Sequence, residues 1–193
     1  INDIRQVMKT HRYLFAFISF QVLLIACTDD VITQTSLPSE KSEIFSGSNN
    51  CVLCHQSNGV ANTTSAGVDV SQPTQWRSTM MANAAKDPFW QAMVRNEVLE
   101  LPGLSDIIQD KCTNCHIPMG HFEAHKNGDD YYLLDEGLPS ALMMDGVSCT
   151  LCHQIESSNF AMVSSFSGGY KISDTRLTYG PYEDPVIQPM MNI

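Results

Sequence analysis

The chain of 193 residues repeats one five-residue pattern three times: Cys51-Val52-Leu53-Cys54-His55, Cys112-Thr113-Asn114-Cys115-His116 and Cys149-Thr150-Leu151-Cys152-His153. Two thiols two residues apart reach both vinyl groups of one porphyrin, and the histidine beside the second thiol swings under the iron. Each copy therefore reads as an attachment site for haem c. Cys51, Cys54, Cys112, Cys115, Cys149 and Cys152 are the expected thioether positions, and His55, His116 and His153 the expected proximal ligands. Paired thiols at this spacing also build zinc sites and redox disulfides. A structural zinc ion wants four ligands in one tetrahedron, and three separate pairs, each followed at once by histidine, suit neither use. The expectation is three copies of covalent haem.

Six of the seven cysteines are spent in these motifs, and the seventh is Cys27. It ends the string Leu23-Leu24-Ile25-Ala26-Cys27, which resembles the lipobox of bacterial lipoproteins. The apolar run Tyr13 to Ala26 follows Lys9 and Arg12. At about 14 residues it is short of the roughly 20 that span a bilayer, and it reads as a secretory signal. Ala26 is small but Leu24 is not, which favours lipidation at Cys27 over ordinary cleavage; an uncleaved anchor would reach the same compartment. The expected plan is a signal over residues 1–26 with Met8 as a candidate true start, a flexible tether over 27–50, and a trihaem domain over 51–193. Pro189 to Ile193 carry no terminating pattern, so the domain is expected to be truncated. The location implied is exported, periplasmic or cell-surface, with the chain held to a bacterial membrane through Cys27.

Net charge is −10, and residues 27–193 alone hold 8 lysines and arginines against 20 acidic residues. Such a surface excludes nucleic acid, which demands clustered cations. It suits solubility, or a basic redox partner such as another cytochrome. Association of copies into a homo-oligomer is left open.

Aliphatic periodicity is sparse, so the fold class expected is mainly α with long irregular loops around a haem core. Thr74 to Ala85, rich in Ala and Met, reads as a helix. Asp87-Pro88 starts the next, with Phe89, Trp90, Met93, Val94, Val98 and Leu101 on one stripe, ended by Pro102-Gly103. A third helix from about Ser105 is expected to deliver Ile107 and Ile108 to the core and the second motif at its end. Gln56 to Pro73 reads as loop, and Ser157 to Ser173 as loops with one short hairpin. Asp129-Asp130 and Asp135-Glu136 read as solvated turns without chemistry.

The spacer after the second motif holds His121 and His125, whose i, i+4 spacing puts them on one helical face. Three irons need three sixth ligands, and neutral imidazole is the usual supply. Only these two histidines lie outside the motifs and the signal, so at least one haem takes another ligand, with Met80 or Met81 the best placed, draws on a missing carboxyl-terminal part, or stays open. A paired-histidine zinc site is the rival use of His121 and His125.

The run Ser78 to Trp90, the string Cys112 to Met119 with His125 after it, and Gly146 to Ile155 resemble multihaem cytochromes c of the broad group related to hydroxylamine oxidoreductase and its tetrahaem electron acceptor. The resemblance covers roughly Ser46 to the end. It implies four or more haems stacked in close pairs, and the tail Tyr179 to Pro185 is similar to a segment that precedes further haem motifs in relatives. A distal histidine carries over best to His125, and less firmly to His121. Two functions follow: an electron carrier with filled axial positions, or a haem enzyme of nitrogen-oxide or hydroxylamine chemistry with one open iron. The sequence offers no proton-donor constellation for the second, which favours the carrier.

Overall fold

A computed structural model describes residues 36–188, so the signal, Cys27 and the last five residues lie outside the described part. The described chain is helical, with isolated β-bridges and no sheet. Local chemistry explains the longest helix. Asp87 accepts a hydrogen bond from Phe89 N at 2.9 Å and Pro88 occupies the first turn, where a missing N–H costs nothing. The four helices from the amino end are α1 (Asn49–His55), α2 (Gln72–Trp76), α3 (Met80–Asn83) and α4 (Pro88–Glu100). A 3-10 turn at Pro102–Leu104 leads into α5 (Ser105–His116), and α6 (Pro118–Asn127), α7 (Leu134–Gly137) and α8 (Cys149–Cys152) follow.

Two expectations about these elements change. The single helix over Thr74 to Ala85 is two, because Thr79 is extended (φ −80°, ψ 160°) and its hydroxyl accepts from Ala82 N at 3.2 Å, capping a new start. Asn83 holds the break by donating to the carbonyls of Arg77 and Thr79. The α4 stripe buries only Trp90 and Val94, while Phe89, Met93 and Leu101 face outward. On α5 Ile107 is exposed, and the buried side chains are Asp110 and Thr113.

The core has two parts. Ala85, Trp90, Val94, Ile117, Ala124, Tyr132 and Leu134 fill the space among α4, α5, α6 and α7. Ile44, Phe45, Met119, Leu142, Leu151 and Ile172 form the other, beside the third motif. This second group corrects the expected tether over 27–50: in its described portion Ile44 and Phe45 are 1% and 0% exposed, and the segment is part of the folded unit. Gln154 Nε2 donates to the Ile44 carbonyl at 3.1 Å and Ile44 N donates to Glu123 Oε1 at 3.2 Å, so partners distant in sequence hold it there. The expected hairpin after the third motif reduces to one antiparallel bridge, Ile155 with Ile172, around 3-10 turns at Ser157–Asn159 and Val163–Ser165. Among the described residues no helix is long and apolar enough to cross a membrane.

Candidate functional site

The second and third motifs are each pinned by the threonine that follows their first cysteine. The second closes α5, where Thr113, the residue after its first cysteine, is fully buried and donates to the Tyr132 carbonyl at 2.9 Å. The third is α8, whose Thr150 occupies the same motif position and donates to the Ser46 carbonyl at 2.8 Å. Its neighbour Asp145, 0% exposed, accepts from Ser48 N and Ser48 Oγ at 2.9 Å each and from Ser148 Oγ at 2.6 Å. One carboxylate thus ties the residues leading into Cys51 to the residue preceding Cys149. Burial pushes the Asp145 carboxyl above its usual range, against the pull of these donors. Gly146 makes the tight approach that follows: its φ is +69°, and a Cβ there would meet the Met81 carbonyl oxygen at 2.6 Å.

The clamp draws the first and third motifs together, and the interaction of their leading thiols holds Cys51 below and Cys149 above the ordinary thiol range. Tyr170 packs against the core group beside the third motif. Its phenol is pushed up to about 12, first by burial and then by the fields of Cys152 and Cys115. All six motif thiols are free of disulfides.

The motif histidines share one arrangement in two of three cases. His116 Nδ1 lies 2.9 Å from the Ala84 carbonyl oxygen and His153 Nδ1 lies 2.8 Å from that of Tyr179. A carbonyl only accepts, so Nδ1 carries the proton and Nε2 keeps its lone pair. That is the tautomer a metal ligand needs, fixed by a backbone partner. Trp90 stacks on the His116 ring with centroids 4.2 Å apart and planes 1° from parallel, which fixes its orientation. His55 is exposed, and its backbone carbonyl accepts from Asn62. Free paired thiols beside an imidazole with a free Nε2 fit covalent haem at the second and third motifs. Met80, Phe89, Phe160 and Phe166 are exposed apolar side chains, a surface that suits a flat apolar ring better than water.

The sixth-ligand candidates separate. Met80 and Met81, 89% and 50% exposed, lie at the start of α3, where the Met81 carbonyl accepts from Val147 N at 3.1 Å, two residues ahead of Cys149. His121 and His125 share one face of α6, as their spacing requires, and both turn to Asp110 on α5. His125 Nε2 is 2.7 Å and His121 Nε2 3.1 Å from Asp110 Oδ1, with the two ring centroids 4.3 Å apart. Burial pushes the Asp110 carboxyl up, but the hydrogen bond from His125 and the field of His121 outweigh it and hold the group below its usual range. Burial lowers the His121 imidazole against the pull of Asp110.

Asp110, Asp145, Thr113, Thr150 and Tyr170 were not marked out by the sequence. The two threonines carried a signal, the same residue at the same motif position; the two aspartates carried none, since each meets its partners only through folding. Compared with known protein families, curated proteins and solved structures, the chain finds no match in any of the three.

Proposed function

We propose that the chain is an exported electron carrier with three covalently bound haems, attached at Cys51 and Cys54, Cys112 and Cys115, and Cys149 and Cys152, with His55, His116 and His153 as proximal ligands. The observation that carries the reading is the pair of imidazoles, His116 and His153, each with Nδ1–H given to a backbone carbonyl and Nε2 left as a ligand beside two free thiols. Bound there, haem would supply a one-electron ferric/ferrous couple. The chain's own contribution is orientation. Ala84 and Tyr179 set the ring tautomers, Trp90 fixes the plane of His116, and Thr113 and Thr150 pin the motif backbones.

The Asp145 clamp supports a carrier, because it ties together the segments that lead into the first and third attachment sites. The acidic surface suits a basic-faced redox partner, and lipid at Cys27 would hold the carrier at a bacterial membrane. Electron paramagnetic resonance of the oxidised, haem-loaded chain tests the reading against the enzyme alternative. A carrier gives iron signals that ignore nitrite and hydroxylamine; a high-spin signal that shifts on adding either identifies an open catalytic iron.

A further inference from the structure

We propose that Asp110, His121 and His125 form a mononuclear site for a divalent transition-metal ion of the zinc class, separate from the three thioether sites. The three ligand atoms lie within 4.8 Å of one another, and the two Nε2 atoms are 3.1 and 2.7 Å from the same carboxylate oxygen. Ligands about 2.1 Å from a common ion stand roughly 3.0 to 3.4 Å apart for right-angle to tetrahedral geometry. The two nitrogen–oxygen separations therefore need shifts of only a few tenths of an ångström to admit an ion, and the two nitrogens already lie within 4.8 Å of each other.

The direction of the rings is the discriminating feature. His116 and His153 keep Nδ1 on a carbonyl, which leaves Nε2 as the ligand atom. His121 and His125 do the reverse, turning Nε2 inward onto a carboxylate whose side chain is 10% exposed. Two imidazoles and one carboxylate are the donor set of a borderline divalent cation, with a further position open to water. Nε2 must give up its proton for the ion to enter: a neutral imidazole takes the proton back at Nδ1, and only an imidazolium releases one to solvent.

The surroundings hold the ligands in place. Tyr132 N donates to Asp110 Oδ1 at 3.2 Å, and the Tyr132 ring packs so closely on α6 that a Cβ on Gly120, the residue before His121, would lie 2.2 Å from its hydroxyl. This second layer orients the carboxylate and locks the helix that carries both imidazoles. The side chains of His121 and His125 are 16% and 36% exposed, which leaves an entry path.

The test uses the full chain, loaded with haem, stripped with a chelator and titrated with zinc sulfate. One zinc per chain is expected, with binding weakened at least about 100-fold in His121→Ala and in His125→Ala and about tenfold or more in Asp110→Asn, and with the haem spectrum unchanged from that of the wild type. A readout on the wild-type chain needs no variant: zinc should protect His121 and His125 from diethyl pyrocarbonate, read by peptide mapping. Absence of stoichiometric zinc, an unaltered footprint at these two residues, or a variant that turns a haem high-spin overturns the proposal, the last by assigning the histidines to iron. Failure of the haem reading is seen separately, in the haem content. Zinc bound to unloaded motif thiols in that case would leave the footprint at His121 and His125 unchanged.

Discussion

Replacing Asp145 by alanine removes the acceptor of three donors in a fully buried place: Ser48 N, Ser48 Oγ and Ser148 Oγ, at 2.9, 2.9 and 2.6 Å. Hydrogen bonds to a charged group contribute about 1.5 to 3 kcal/mol each, and the two hydroxyls can rotate toward other acceptors whereas the Ser48 N–H cannot. The desolvation that raises the Asp145 carboxyl offsets part of the gain, as for any buried charge. A net loss of about 3 kcal/mol follows, equivalent to a fall in Tm of roughly 6 to 12 °C for a unit of this size. The loss should also be local. The clamp joins the first and third motifs, so Asp145→Ala should lower haem occupancy at Cys51/Cys54 and Cys149/Cys152 while Cys112/Cys115 stays loaded. Thermal unfolding by circular dichroism gives the first quantity, and mass mapping of haem peptides the second. A variant melting within about 2 °C of the wild type, with all three sites equally loaded, would refute the clamp.

Two further outcomes are expected. Trp90→Ala should cost about 3 to 5 kcal/mol, since it empties a buried site and frees the His116 ring, whereas Trp90→Phe should keep most of the stability; unfolding curves of the two variants check this. Alkaline pH should also destabilise the chain through Tyr132, whose buried phenol is pushed up to about 12, first by burial and then by Glu136 and Glu123. The folded value lies above the unfolded one, so this stabilisation is complete below pH 10 and is lost as pH rises toward 12. It amounts to on the order of 2 to 3 kcal/mol. Tyr132→Phe should flatten the decline of Tm over that window.

What the sequence revealed was local or repetitive. Asp87-Pro88 starts a helix by its own chemistry, and the i, i+4 spacing of His121 and His125 needs nothing beyond helical geometry. The break at Thr79 escaped because a capping threonine inside an Ala and Met run looks like any other helical residue until its hydroxyl finds Ala82 N. Ile44 and Phe45 escaped for a different reason. They sit alone in a polar stretch, and the groups that bury them come from residues about 80 to 110 positions later. Asp110 and Asp145 belong to no motif, and only the folded chain gives them partners.

The central claim is tested most directly by counting porphyrins on the intact chain after maturation in a host that attaches haem c. The account expects a red protein whose mass exceeds that of the bare polypeptide by three haems, with haem peptides spanning each of the three motifs. A colourless product, or a mass increment of fewer than three, would contradict it.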